Sequence, residues 1–537
     1  MALAPAPAPS QAGVNDDKKP TARELTKDQA SREIVFGIVG HVGSGTSTVA
    51  ESLLKVLTEH DVDGGSYECQ LITARKVIEE YADQIGHGYP NEKPFTIEDV
   101  KVFQNLGDAM RAGGDHAAVA RGAILKIREL RAEMQKIEVV AEEPVVPDGK
   151  PRAYIIDSIR HPAEVELLRR VYSDAFVLIG VVCEEKVRKD RISNKYRDAG
   201  LDAAEKFMKR DAKAEEKHGQ RVSDAFHLSD FFLDNTEDEF IEGDKTRSND
   251  NWDINDHLDR LIRLVSHNDI ERPKVDETAM YSAAGAAMKS ACLSRQVGAA
   301  ILDPSGNIVA TGANEVPKAG GGVYGDVPGN DDRCFVHNKY CSNTKEQTTI
   351  AEEIFQEISG ALRDDSKDVV QILKSGRVGE LLEFSRAVHA EMDALLSAGR
   401  KGISTVGCKV YVTTFPCHYC ARHIVSAGID EVQFIEPYPK SKAFDLHKDS
   451  ILNSLPTGDG ADGVIKLPSE GGTKVVFRPF TGVAPRMFRR AFQKDRQLKD
   501  KETGEMKIQP PEWGSPYDIS KSSYADFEVS LTRDFGK

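Results

Sequence analysis

Apolar and polar positions alternate in two different ways along this chain. Ile34 to Val39 and Phe176 to Val182 are unbroken apolar runs, the pattern of strands buried on both faces of a parallel sheet. Tyr154-Ile155-Ile156 is a shorter run ending in Asp157, and Phe226 to Leu233 is expected to hold the last strand region of this half. Val49, Leu53, Leu54 and Leu57 recur at helical spacing after the first run, and a second helix is expected from Pro162 through Glu164, Leu167 and Leu168. Thr236 to Asp256 is polar and acidic, which predicts a hinge or linker. Beyond Pro273 the pattern changes. An Ala-rich helix (Glu277 to Ser290) leads to a hairpin of Ala299–Leu302 and Ile308–Gly312 about the turn Asp303–Asn307. A helix over Ala387–Leu396, a strand over Lys409–Thr414, a helix opened by Pro416 and a strand over Glu431–Ile435 complete it. These patterns predict a tail over 1–30, an α/β unit over 31–245, a linker over 246–272 and a second α/β unit over 273–537. The stretch at about 319–383 reads as an insertion in the second unit.

Composition narrows the class. With 537 residues the chain exceeds one ordinary core, and 40% hydrophobic with 29% charged residues describes a soluble globular protein. A formal charge of −15 and 7% aromatics argue against a broad nucleic-acid-binding surface. Eight cysteines in so long a chain do not form a disulfide framework, and a reducing cytoplasm is the expected compartment. The Ala/Pro-alternating start lacks the basic and apolar regions of a signal peptide, and no apolar run is long enough to span a bilayer.

Two stretches carry chemistry. Cys417 and Cys420 are three residues apart, share a helix face and sit where the helix dipole favours thiolates. His389 supplies a third ligand, and three protein ligands leave the fourth tetrahedral position of a Zn²⁺ ion to water. Glu391 does not face the same way as His389 on a regular helix and is better placed as a proton shuttle than as a ligand. A lone C-x-x-C also suits a redox pair or half a zinc finger; the upstream H-A-E decides against both. The other stretch is Gly40-His41-Val42-Gly43-Ser44-Gly45-Thr46-Ser47-Thr48, set between a strand and a helix as a phosphate-binding loop requires. Its backbone N–H groups suit phosphate and Ser47 suits Mg²⁺, with Asp157 as the metal's second partner. Thr46 stands where such loops carry lysine, which favours nucleotide binding, with or without Mg²⁺, over turnover. A glycine turn kept only for folding is the alternative. Cys334, His337 and Cys341 in the insertion have a spacing that suits a second, structural Zn²⁺, with Cys292 or His116 as further donors by type, and ordinary loop cysteines are the other reading.

The H-x-E with P-C-x-x-C arrangement resembles the signature of zinc nucleobase deaminases. S-x-C-L-S-R-Q-V-G-A-A-I, T-G-A-N-E-V-P, H-A-E-M-D-A-L, Y-V-T-T-F-P-C-H-Y-C-A and S-A-G-I together resemble deoxycytidylate deaminases, and the element order resembles the cytidine deaminase α-β-α fold. The first unit resembles small three-layer P-loop kinases, whose lid arginines touch phosphates, as Arg188 and Arg191 would here. A P-loop unit in front, with I-E-P-Y-P-K-S-K-A and F-T-G-V-A-P-R behind, resembles the bacterial antiphage deoxycytidine nucleotide deaminases over roughly Ile34 to Arg489. That resemblance implies hydrolysis of dCTP, and of dCMP, to the uracil nucleotides, depleting dCTP during infection. It also implies a homo-oligomer, contact of Asn314 with sugar and base, and of Arg295 with phosphate. Asp393 departs from the family's usual Asn. Two rival readings remain open: a deaminase of RNA or single-stranded DNA, and a sensor whose first unit binds a regulatory nucleotide or RNA.

Overall fold

The computed structural model describes residues 20–535, apart from 61–65, 92–94, 141, 197–199, 215, 217, 241–245, 268, 326–330, 338, 360–367, 382–383, 439, 454–464, 513 and 534. Most of the predicted tail therefore lies outside the described residues, although Ala22–Asp28 is a helix closed by a Thr21–Glu24 capping box.

The described residues build two six-stranded sheets. Five strands of the first, β1 (Glu33–Val39), β2 (Glu68–Thr73), β3 (Arg152–Ile159), β4 (Phe176–Val182) and β5 (Phe231–Asp234), run parallel in the order β5-β4-β1-β3-β2, and a sixth from near the C-terminus joins antiparallel beside β5. The continuous apolar runs are its central strands: β1 and β4 are buried at every position, as a sheet covered on both faces demands. The second sheet contains β6 (Gly298–Leu302), β7 (Ile308–Ala313), β8 (Lys409–Thr414), β9 (Glu431–Glu436), β10 (Ile451–Asn453) and β11 (Val475–Pro479), ordered β10-β11-β9-β8-β6-β7. Its β6–β7 hairpin is antiparallel and β8, β9, β11 and β10 run parallel. Among the described residues no helix is long and apolar enough to cross a membrane.

Two boundaries differ from expectation. The stretch read as a linker contains the helix Ile254–Ser266, whose Ile254, Leu258, Leu261 and Val265 are buried in the core beneath β1 and β4. Those apolar positions recur every three or four residues, but acidic neighbours disguise them. The C-terminal stretch, assigned to the second unit, crosses back to the first. Strand β12 (Gly482–Val483) adds antiparallel to β5, and the helix Lys521–Thr532 packs on the helix Ala118–Gln135. Glu528 on that last helix is fully buried. It forms ion pairs with Arg131, which also pairs with Glu33 on β1 at 2.8 Å, and it accepts the Tyr172 hydroxyl at 2.7 Å. So many charged-group contacts satisfy a site where an unpaired ion would be costly.

Candidate functional site

Glycines shape the first loop. Gly43 (φ 85°) and Gly45 (φ 82°) take the left-handed conformation that L side chains resist, and Gly45 caps the helix Thr46–Glu59. A Cβ on Gly45 would meet the Asn235 amide nitrogen at 2.2 Å; that amide donates to the Ser44 carbonyl at 2.7 Å and pins the loop to the end of β5. Ser47 Oγ donates to Asp157 Oδ2 at 2.7 Å, and Thr46 Oγ1 meets Ser158 Oγ at 3.3 Å, so loop and β3 end converge as the spacing implied. Thr48 is exposed beside them, and Ser44 Oγ is buried without a partner. Gly40 closes β1, where a Cβ would strike Ser44 Oγ. Sequence reasoning missed Asp211, which accepts the Val42 N–H at 2.7 Å and pairs with Arg160 at 2.8 Å; nothing in its local pattern separates it from a solvated helix acid. Arg188 has its backbone against Gly43, whereas Arg191 is spent on the Asn235 carbonyl and Asp238. Burial, with Arg188 and Arg160 nearby, holds His41 down at about 3, so its imidazole is neutral and meets Ser223 Oγ at 2.9 Å.

The second site lies where β8 runs into the helix His418–Ser426. Pro416 precedes this helix instead of occupying its first turn, and Cys417 is the N-cap, with Cys420 in the first turn. His389 is likewise the N-cap of the helix Ala390–Arg400, not a residue within it. Cys417 Sγ and Cys420 Sγ each stand 3.3 Å from His389 Nδ1, and the three ligand atoms lie within 4.8 Å of one another. Tetrahedral Zn²⁺ bonds of about 2.0–2.3 Å place such donors roughly 3.5 Å apart, so the set fits the ion. Hydrogen bonding from Cys420, then from His389, holds Cys417 at about 4, a thiolate. The bond with Cys417 pulls His389 up to about 9 and pushes the Cys420 thiol up; as zinc ligands both would release their protons to the ion's charge. Glu391 is buried beside them, and burial pushes its carboxyl above the usual range while His389 pulls it down.

The other expected residues fare differently. Asn314 is buried; its amide donates to the Arg295 carbonyl and accepts the Val297 N–H, both at 2.7 Å. Arg295 pairs with Glu436 at 2.7 Å and leans over Tyr438. Asp393 accepts the Ala313 N–H at 3.1 Å, tying its helix to β7. Glu315, missed in the sequence, is buried and accepts the Ala291 and Val316 N–H groups. Cys334, His337 and Cys341 do not close on one point, since among the described residues only His389, Cys417 and Cys420 form a metal-sized cluster; burial, with Cys292 and Cys341 nearby, pushes the Cys334 thiol up. Cys341 meets Ser294 Oγ at 3.6 Å, His337 faces Asp332 at 3.6 Å, and Cys334 takes a contact from Arg386. His116 lies in the first unit, its ring 5.3 Å from that of His161 and tilted to it by 35°.

Residues 273–436 match the family model of the cytidine and deoxycytidylate deaminase zinc-binding region. The deoxycytidylate deaminase of Enterobacteria phage T2 is 32% identical over 155 residues, 29% of this chain and 76% of that protein. A UPF0200/UPF0201 protein of Archaeoglobus fulgidus is 32% identical over 210 residues, 39% of this chain and 53% of that protein. Among solved structures, the apo dCMP deaminase of cyanophage S-TIM5 aligns with 39% of this chain and 100% of that one at 17% identity, with a TM-score of 0.21.

Proposed function

This chain belongs to the cytidine and deoxycytidylate deaminase family, and from that premise we propose that it hydrolyses the 4-amino group of free deoxycytidine nucleotides, dCTP and dCMP, with zinc as cofactor. The observation that carries this reading is the convergence of His389, Cys417 and Cys420 on one point with the buried Glu391 beside it. His389, Cys417 and Cys420 would hold Zn²⁺, which when bound supplies a water acidic enough to attack at neutral pH. Glu391 accepts that water's proton and delivers it to N3 of the cytosine as the C4–O bond forms. It then carries the second proton to the amino group, so that C4–N cleavage releases ammonia and leaves uracil. A buried carboxyl is suited to this double duty, because burial makes holding a proton easier. With both ends of its amide engaged, Asn314 acts by fixing the rim formed by Arg295 and Val297. Arg295 meets substrate phosphate by exchanging Glu436 for it.

The glycine loop binds a nucleotide's phosphates without efficient turnover, with Ser47 and Asp157 as the residues that would hold Mg²⁺. Loss of dCTP through this enzyme would starve an infecting phage of a DNA precursor. Ammonia release from dCTP, dCMP and a cytosine-bearing oligonucleotide, with zinc measured in parallel, tests the proposal. Activity on the oligonucleotide alone would overturn it.

A further inference from the structure

One continuous cleft of about 1450 Å³ begins at the glycine loop and runs to a group of aromatic side chains between the helices Ala74–Gln84 and Ile97–Ala112. Small-ligand pockets are usually about 300–1,000 Å³, so phosphates at the loop would leave most of this space to be filled. At the far end Phe103 is buried and forms the floor, with the half-buried Phe95 edge-on to it at 6.0 Å and Tyr89 at 6.0 Å. The Arg75 guanidinium lies 4.2 Å from the Phe95 ring centre and 4.6 Å from that of Phe103, and among the described residues it pairs with no carboxylate. Beside this floor, Gln104 is 5% exposed. Its Nε2 donates to Gln220 Oε1 at 3.0 Å, while its Oε1 is buried with no partner. Exchanging oxygen and nitrogen in either amide leaves the same difficulty. A buried amide oxygen left unpaired costs stability unless a ligand satisfies it.

We propose that this aromatic end is a nucleobase subsite. The first unit then binds a free nucleoside phosphate, its base against Tyr89, Phe95 and Phe103, its edge read by Gln104, and its phosphates reaching the loop. Flat π surfaces take a base of any identity; the amide supplies the discrimination. Arg75 already occupies the position of a stacked planar cation, and on binding it sandwiches the base. The proposal rests on the phosphate-binding reading of the loop, but its own observations lie at the other end of the cleft.

Equilibrium dialysis of the full chain tests it, with ATP and GTP as ligands because neither is a substrate for cytosine deamination. Inorganic tripolyphosphate serves as the base-free probe and the nucleosides as the phosphate-free probe. The expected result is that one or both nucleotides bind roughly tenfold tighter than tripolyphosphate. Tyr89→Ala and Arg75→Ala, both at half-buried positions, should remove that advantage and leave tripolyphosphate binding unchanged, with Tyr89→Phe restoring it. Gln104→Leu should alter the order of preference among bases. Equal binding of nucleotides and tripolyphosphate, or an advantage that survives Tyr89→Ala and Arg75→Ala, overturns the subsite. Nucleosides that bind while tripolyphosphate does not would sink the loop reading and leave the subsite standing.

Discussion

The two sites use the same local architecture for different ends. In each, a strand runs into the N-terminus of a helix: β1 through Gly40–Gly45 into Thr46–Glu59, and β8 through Phe415–Cys417 into His418–Ser426. Both therefore present backbone N–H groups and the positive end of a dipole. The glycine loop leaves that potential unfilled by any side chain of its own, and its hydroxyls turn to the end of β3, Ser47 to Asp157 and Thr46 to Ser158. At the second site the chain supplies its own anion, the Cys417 thiolate, and closes the site around it with His389, Cys420 and Glu391. One helix terminus is left open, as the proposed phosphate site needs; the other is filled by the chain's own sulfur, in the His/Cys/Cys group that fits zinc.

The comparison can be broken most forcefully at Glu391. Glu391→Gln should lower deamination of dCMP by about 10²–10⁴-fold while metal analysis shows zinc retained; His389→Ala should lose zinc and activity together. Undiminished activity in Glu391→Gln would dismiss the proton-shuttle role. Next in size is the buried charge cluster. Glu528→Ala leaves Arg131 with Glu33 as its only carboxylate partner and takes the acceptor from the Tyr172 hydroxyl, and should cost about 3 kcal/mol of stability, read by urea titration. Smaller still, Ser47→Ala should weaken Mg²⁺-dependent nucleotide binding roughly tenfold in calorimetry and leave deamination of dCMP unaltered. The smallest effect concerns pH. His41 is held at about 3 against an ordinary 6.5, so the unfolded chain binds more protons between these values. The stability from its neutral form is complete above about 6.5 and is lost as pH falls towards 3. His41→Gln should flatten the loss of melting temperature between pH 7 and pH 5, whereas the wild-type slope in that variant would show that another group titrates.

The metal centre was legible because its donors are close in sequence and their chemistry is narrow. His389 with Glu391, and Cys417 with Cys420, constrain each other before any fold is known. The glycine loop was equally local, and Asp157 could be placed because it ends an apolar run. What escaped was long-range. Asn235 and Asp211 reach the loop from more than 160 positions away, and neither carries a local signature. The fates of Asn314 and Arg295 depended on which carbonyl and which acid lay opposite. The helix Ile254–Ser266 left a readable stripe that its acidic setting obscured, while β12, two residues long, left none.

That short strand has a consequence for how the two halves can move. Because Gly482–Val483 and the helix Lys521–Thr532 return to the first sheet, the catalytic half is an insertion within the other, entered after Ile254–Ser266 and left at β12. Two tethers, not one, join the halves, so a swing about a single pivot is blocked and only motions that keep both strands of the connection in step remain. A cut near residue 273 would not release two proteins: it would leave the first half without its edge strand and without one of the two carboxylates that pair with Arg131.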